Sequence, residues 1–309
     1  MWYAYETNGR SGELFELSRK SIVTTVVNYS HSDSIEQEAA SEISENRPPP
    51  EWPTAGAIEF KGISLRYRPG LPNVLHNISL SINGGEKIGI VGRTGAGKSS
   101  ITLALLRIVE FVGTIAIDGV DVSKIGLQDL RTKVAIIPQD PTIFSGTIRT
   151  ALDPFSLYDD ARLWDALRRS FLVEGSSTDR ITLETLIEAE GSNLSVGQRS
   201  LLSLARALVR DNRVVILDEA TASVDLETDQ KIQHTIQTEF KGKTLICIAH
   251  RLRTILTYDR ILVLDSGSIV EFDTPLALYR NEKGAFRSLC DQSNIAEKRL
   301  RNFRCLQGI

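Results

Sequence analysis

GRTGAGKS, at residues 92–99, is the stretch that decides the fold of this chain. It fits the pattern G-x-x-x-x-G-K-[S/T], follows the strand-like run KIGIV and precedes the helical pattern SSITLALLRIV. In that order, the glycines let backbone N–H groups turn inward on a phosphate. Lys98 adds a positive charge, and the Ser99 hydroxyl can bind Mg²⁺. The stretch therefore predicts a phosphate-binding P-loop, and a plain glycine turn is the weaker interpretation.

A second apolar run, VVIL at 214–217, ends in two adjacent acids, Asp218 and Glu219. Such a pair after a lone strand is usually a solvated loop. With a P-loop earlier in the chain, Asp218 is of the type that holds the Mg²⁺ shell and Glu219 of the type that polarises the attacking water. Open α/β sheets bind ligands at the carboxyl ends of their strands, where the P-loop and these acids both fall.

Apolar strands alternate with helical patterns over most of the remaining chain, which predicts an α/β fold with a mostly parallel sheet covered on both faces. The stretch from Asp159 to Glu190 is predicted to be mainly helical from the spacing of Leu163, Leu167 and Phe171. Residues 260–273 are predicted to form a hairpin that turns at Ser266 and Gly267.

The two ends of the chain are expected to lie outside the folded domain. Residues 1–55 read as a helix remnant, a polar and acidic stretch and a proline-rich linker with Pro48, Pro49 and Pro50. The domain itself is predicted to occupy residues 56–290, followed by a C-terminal tail at 291–309.

The amino-acid composition limits the kinds of protein that this chain can be. A chain of 309 residues with 41% hydrophobic and 24% charged residues predicts one sizeable globular core with tails. The net charge of −3 argues against nucleic-acid binding as the main task. Cys247, Cys290 and Cys305 form no CxxC pair, which favours reduced thiols. Without a long apolar run or signal-like N-terminus, the chain is expected to be soluble and not to span a membrane.

LSVGQ, at residues 194–198, precedes an amphipathic helical pattern. Ser195 reads as an ordinary N-cap and Gly197 as an ordinary turn residue. A helix N-terminus is also an anion site, so a second phosphate-facing surface is the alternative. On this motif alone, the N-cap is the stronger interpretation.

The P-loop, LSVGQ and LDEA at 217–220 together resemble, in order and spacing, the nucleotide-binding domain of ABC transporters. The resemblance covers nearly everything from Ile58 to Leu289, and LSVGQ is specific to that superfamily. Residues 47–75, 119–155 and 260–275 closely resemble the second nucleotide-binding domain of the multidrug resistance-associated (C) subfamily. This resemblance implies an α/β fold of the P-loop NTPase type. It would have a mostly parallel sheet core, an antiparallel β-subdomain and an α-helical signature subdomain.

The resemblance also implies roles for single residues. Tyr67 would stack on adenine, Gln139 would touch Mg²⁺, Asp225 would form the D-loop and His250 would contact the γ-phosphate. Tyr67, Gln139 and His250 each have a plain structural alternative as a core, loop or surface side chain. The implied sites are Glu219 and His250 for catalysis; Tyr67, Gly92, Arg93, Thr94, Gly95, Ala96, Gly97, Lys98, Ser99, Ser100 and Gln139 for ATP; Ser99, Gln139 and Asp218 for Mg²⁺; and Ser195, Val196, Gly197 and Gln198 for the signature.

In ABC proteins two such domains close head to tail around two nucleotides, so the resemblance implies that Ser195 and Gly197 act in trans. The expected partners are a second nucleotide-binding domain, a copy or an unlike one, and transmembrane domains, with no nucleic acid. The expected function is ATP hydrolysis in an exporter of organic anions or drugs, on the cytoplasmic side of a plasma or vacuolar membrane.

Two other functions compete with export. A soluble ABC ATPase working on nucleic acid or ribosomes is disfavoured because the domain is not interrupted by a long coiled coil and is not duplicated. A nonhydrolytic nucleotide-binding module is disfavoured because Lys98, Glu219 and His250 are all present. The preference for ATP over GTP rests on the resemblance and on Tyr67.

Overall fold

The computed structural model describes residues 38–173, 181–218, 224–249 and 251–297. The predicted helix remnant, Glu219, His250 and Cys305 lie outside the described residues.

Strands and helices alternate along the described chain. In chain order the strands are β1 (Ile58–Leu65), β2 (Leu75–Ile82), β3 (Lys87–Gly92), β4 (Phe111–Ile117), β5 (Val120–Asp121), β6 (Val134–Ile137), β7 (Gly146–Thr147), β8 (Leu186–Ile187), β9 (Val214–Asp218), β10 (Thr244–Ile248), β11 (Arg260–Asp265) and β12 (Ser268–Asp273). The α-helices are α1 (Lys98–Leu105), α2 (Leu127–Lys133), α3 (Ile148–Leu152), α4 (Asp160–Arg169), α5 (Val196–Arg210), α6 (Leu226–Glu239), α7 (Leu252–Ile255), α8 (Pro275–Arg280) and α9 (Ala285–Gln292).

The central sheet has six strands in the order β12-β11-β3-β10-β9-β6. β11, β3, β10, β9 and β6 run parallel, and β12 pairs antiparallel with β11 at one edge. Alternate residues of β9 enter different cores: Val214 and Ile216 join one hydrophobic cluster, and Val215 and Leu217 join the other. Both faces of the sheet are therefore covered, which is why its strands read as continuous apolar runs.

A four-stranded antiparallel sheet, in the order β2-β1-β4-β5, covers one face of the central sheet together with α1. Ile58 and Ile63 of β1 and Ile101 and Leu105 of α1 are buried in this cluster. The other face packs against helices, among them α4, α5 and α6. The predicted combination of a mostly parallel core, an antiparallel β-subdomain and a helical subdomain is confirmed.

The expectation of a mainly helical stretch from Asp159 to Glu190 was wrong for its described second half. The helix ends at Arg169, and Phe171 adopts a left-handed conformation with φ 59°. Leu186–Ile187 instead pairs antiparallel with Gly146–Thr147. Thr182 and Thr185 hydrogen-bond each other's backbone and side chains in a turn, so local Thr bonding replaces the helical ladder there.

Residues 38–54 pack on the domain although they precede the predicted boundary. The carbonyls of Ala40 and Ser41 accept from the first N–H groups of α2, at 3.1 and 2.9 Å. Trp52 is 3% exposed and donates from Nε1 to the Ile117 carbonyl at 2.7 Å. The position of the boundary near Ala55 stays a prediction.

The longest α-helix in the described part of the chain is α5, with 15 residues. Within that part, no helix combines the length and the apolar character needed to cross a bilayer.

Candidate functional site

A cavity of about 660 Å³ opens at the carboxyl ends of the central parallel strands, above β3. Two of its lining residues, Val74 and Ala249, were missed by sequence reasoning. Val74 lies just before β2. Ala249 lies between β10 and His250, a residue predicted to belong to the site. For Ala249, this position next to His250 was the only signal in the sequence. The lining residues are Tyr67, Val74, Gly92, Arg93, Thr94, Gly95, Gly97, Lys98, Ser99, Ser100 and Ala249.

The P-loop connects β3 directly to α1 and forms the floor of this cavity. Lys98 Nζ reaches back across the loop to the carbonyls of Gly92 and Arg93, at 3.0 and 3.2 Å. Gly97 occupies the N-cap of α1 with φ 95° and provides no side-chain cap. The first-turn N–H groups of α1 therefore receive no side-chain cap from the N-cap residue, which leaves them open to an anion.

Tyr67 lies on the wall of the cavity and remains 39% exposed. Its hydroxyl is 2.8 Å from Ser100 Oγ, on the first turn of α1. The hydrogen bond ties the chain after β1 to the P-loop helix. An exposed aromatic ring fixed beside a phosphate site has the geometry on which a base can stack.

The sheet topology brings Asp218 and Gln139 to the same edge as the P-loop. β10 lies between β3 and β9, with Ile248 in register with both Ile90 and Asp218. Two strand spacings, about 10 Å, therefore separate β9 from β3. Gln139 is exposed and lies just after β6, the strand next to β9 in the sheet. Neither residue lines the cavity itself, so they lie beside it rather than in it.

The Cys247 thiol lies on β10 within this edge of the sheet. Burial, together with the neighbouring Asp218 charge, raises its pKa to about 12. A thiol with that pKa stays protonated at neutral pH and is a poor nucleophile or metal ligand. Cys247 and Cys290 are both free thiols.

The signature segment, residues 195–198, forms a capping box at the start of α5. Ser195 Oγ accepts from the Gln198 N–H at 3.1 Å, and the Ser195 N–H donates to Gln198 Oε1 at 2.8 Å. The N-cap interpretation of Ser195 is confirmed. Val196 is 43% exposed at the start of the helix. Residues 195–198 do not line the cavity of their own chain.

Asp225 caps α6 and lies near Gly197 of the signature segment. Its carboxylate accepts from the Thr228 N–H at 3.0 Å and from Thr228 Oγ1 at 2.7 Å. These hydrogen bonds lower the pKa of Asp225, so the cap is ionised. A Cβ on Gly197 would come within 2.8 Å of Thr228 Oγ1. The contact between Gly197 and the D-loop helix was not anticipated from the sequence.

The predicted Mg²⁺ ligands fit that ion by donor type. Ser99, Gln139 and Asp218 supply only oxygen donors at one sheet edge, and Mg²⁺ usually takes one or two carboxylates, phosphate oxygens and waters. Clusters of three or more His, Cys, Asp or Glu suited to a metal do not occur among the described residues. A site completed by phosphates and water does not need such a cluster.

A P-loop between a buried strand and an uncapped helix, in a mostly parallel sheet in which β9, two strands away, ends in an acid, defines the class of P-loop NTPases. Residues 75–222 match the ABC transporter family model. The chain belongs to that family, as a nucleotide-binding domain.

Curated relatives that the chain resembles include proteins named as a transporter and a permease. The chain is 52% identical over 302 residues to the ABC-type transporter cicA of Emericella nidulans, covering 93% of this chain and 22% of the relative. It is 50% identical over 283 residues to the oligomycin resistance ATP-dependent permease YOR1 of Saccharomyces cerevisiae, covering 86% and 19%. It is 52% identical over 262 residues to ATP-binding cassette sub-family C member 3 of Rattus norvegicus, covering 84% and 17%.

The chain thus spans about a fifth of the length of the curated relatives it matches. The predicted resemblance to the C subfamily is confirmed by the sub-family C member.

Proposed function

We propose that this chain is the ATP-hydrolysing domain of an exporter for organic anions or drugs, working with a second nucleotide-binding domain and with transmembrane domains. The observation that carries the proposal is the cavity of about 660 Å³ floored by the P-loop, with Tyr67 on its wall. The similarity to the yeast oligomycin resistance ATP-dependent permease supports a role in transport. We place the domain on the cytoplasmic face of a plasma or vacuolar membrane.

The chemistry follows from groups around the cavity. The uncapped N–H groups at the start of α1 bind phosphate oxygens, and Lys98 exchanges its bonds to two loop carbonyls for bonds to the phosphates. Tyr67 stacks on the adenine. Ser99, Gln139 and Asp218 would hold Mg²⁺, which would neutralise charge on the phosphates.

Hydrolysis needs a group that activates water, and we assign that role to Glu219, which directly follows β9. His250 follows β10 and its linker Ala249, and we assign it the contact with the γ-phosphate. The parallel order β3-β10-β9 supports both assignments, because the chain leaves all three strands at one edge of the sheet.

A second nucleotide-binding domain is supported by the position of the signature segment. Residues 195–198 lie outside the cavity of their own chain, and Val196 is exposed. A helix start with a serine and a glycine is suited to an anion. We therefore propose that this segment faces the phosphates of a nucleotide bound to the partner domain.

The proposal predicts ATPase activity that depends on protein concentration. Purified chain should hydrolyse MgATP with a turnover per chain that rises with concentration, because each composite site needs two domains. Glu219→Gln should abolish turnover while leaving MgATP binding in place. Steady-state phosphate release over a wide concentration range measures both effects.

Glu51→Gln, at an exposed glutamate remote in sequence from the P-loop, is the matched control and should keep full turnover. Turnover that stays at the Glu219→Gln level at every concentration would contradict pairing between copies of this chain. Wild-type chain that fails to bind MgATP would contradict the proposed function itself.

A further inference from the structure

The tip of the β11–β12 hairpin touches the P-loop. The two strands are joined by the two-residue turn Ser266–Gly267, with φ values of 47° and 76°. Both residues are left-handed, as in the type I′ turns that match the twist of a hairpin. The Gly267 N–H donates to the Ala96 carbonyl of the P-loop at 3.1 Å.

The same turn is held from its other side by the start of β2. The Gly267 carbonyl accepts from the His76 N–H at 2.8 Å. Val74, two residues earlier, lines the cavity. Gly267 therefore bridges the P-loop and the segment that forms another part of the cavity wall, through one backbone hydrogen bond to each.

There is no space for a side chain at this bridge. A Cβ on Gly267 would collide with the Val74 carbonyl oxygen and would lie 2.8 Å from His76 Cδ2. β11 also contacts the first residue of the P-loop. Leu264 is paired with Gly92, and a Cβ on Gly92 would collide with the Leu264 carbonyl. The hairpin thus supports the P-loop at two points, residues 92 and 96.

The hydrogen bond at Ala96 sets the direction of the next amide. In a planar trans peptide the carbonyl and the following N–H point in opposite directions. Holding the Ala96 carbonyl toward the hairpin therefore turns the Gly97 N–H away from the hairpin. Gly97 lines the cavity and is the N-cap of α1. The orientation of its amide therefore affects how the loop binds a phosphate.

We propose that Gly267 is a positioning residue for the P-loop: the hairpin tip orients the Ala96–Gly97 peptide for phosphate binding without touching the nucleotide. The inference rests on the proposed function, since it concerns the phosphate site of the same cavity. It extends the nucleotide site to a hairpin whose turn begins 167 residues after Ser99 in the sequence numbering.

Gly267→Ala and Gly119→Ala are a matched pair of variants. Gly119 is the second residue of the Asp118–Gly119 turn between β4 and β5, with φ 77°, and its Cβ would meet no atom within 4 Å. Alanine pays the same cost of left-handed backbone at both positions. Only Gly267→Ala also displaces the tip from Val74 and the P-loop.

In the full chain, Gly267→Ala should bind trinitrophenyl-ATP and inorganic pyrophosphate about tenfold more weakly than wild type, the loss of roughly one hydrogen bond to a charged group. Gly119→Ala should bind both as wild type does. Urea unfolding of each variant without nucleotide separates this effect from a general loss of stability. Equal affinities of Gly267→Ala and Gly119→Ala would overturn the inference.

A measurement on the wild-type chain covers the case in which Gly267→Ala does not fold. If the hairpin tip and the phosphate site are linked, pyrophosphate must slow amide hydrogen exchange at residues 264–268 as well as in the P-loop. Exchange at the Asp118–Gly119 turn should not change. Slowed exchange in the P-loop with no change at 264–268 would overturn the inference and leave the proposed function standing. Wild-type chain that binds neither probe would overturn both.

Discussion

Asp118 shows how one carboxylate organises the entry to the domain. It sits at the turn between β4 and β5 and accepts from the N–H groups of Ala55, Gly56 and Ala57, at 2.9, 3.0 and 2.7 Å. Burial raises the pKa of Asp118, but these backbone hydrogen bonds outweigh it and hold the pKa below 3.8. The ionised form is therefore the one that the fold favours.

Asp118→Asn should destabilise the chain near neutral pH by about 1 kcal/mol, after a discount for solvent screening of a half-exposed group. Asparagine tolerates the left-handed φ of 46°, so the backbone is not strained. Because the folded pKa is lowered, the contribution is present above pH 3.8 and is lost as pH falls through the folded pKa. Urea unfolding across this range should show the difference from wild type shrinking in acid. A constant difference would contradict a role of the charge.

At the scale of elements, Arg206 joins two parts of the helical region. It lies on α5 and donates to the carbonyl of Ala151 in α3 at 2.6 Å and to that of Thr142 at 3.3 Å. Burial, followed by the neighbouring Arg210 charge, lowers its pKa to about 10, so it remains a cation at neutral pH. Thr142 is three residues after Gln139, and α5 begins with the signature segment. The side chain therefore links the segment that follows Gln139 to the helix that begins with the signature segment.

Arg206→Met should lower the free energy of unfolding by about 2–4 kcal/mol, because it leaves two backbone carbonyls without this donor in a buried place. Arg213→Met, at an exposed arginine just beyond α5, is the control and should stay within about 0.5 kcal/mol of wild type. Chemical denaturation of both variants tests the difference. Equal stabilities would show that Arg206 does not hold the two segments together.

At the scale of the whole molecule, the P-loop connects the two hydrophobic cores. Val91, the residue just before the loop, belongs to the hydrophobic cluster that packs against the helices. Ala96, in the middle of the loop, belongs to the cluster that includes the antiparallel sheet. A ligand that orders this loop therefore acts on both halves of the molecule. Its binding energy should appear as stability of the entire domain.

MgATP at a hundredfold excess over its dissociation constant should raise the free energy of unfolding by about 2.7 kcal/mol. Lys98→Ala should remove most of this gain, because the cation that faces the phosphates is lost. Lys124→Ala, at a lysine whose side chain is 73% exposed, should keep it. Thermal unfolding with and without MgATP measures the gain. A Lys98→Ala chain stabilised as much as wild type would contradict a phosphate contact.

The sequence by itself determined the parts of this protein that depend on short-range patterns. The P-loop between β3 and α1, the N-cap at Ser195 and the turn at Ser266–Gly267 were all predicted. Each depends on the chemistry of a few adjacent residues or on the period of an apolar face, and such information is contained in a short window.

The tertiary structure alone decided which distant segments meet. It placed Val74 in the cavity wall and Gly197 close to Thr228. It also bonded Ala40 and Ser41 to the start of α2, paired Leu186–Ile187 with Gly146–Thr147, and set the hairpin tip against Ala96. These contacts are made by generic backbone groups and small side chains. Their partners lie far away in the chain, and no local pattern encodes which of many equivalent carbonyls and amides will pair.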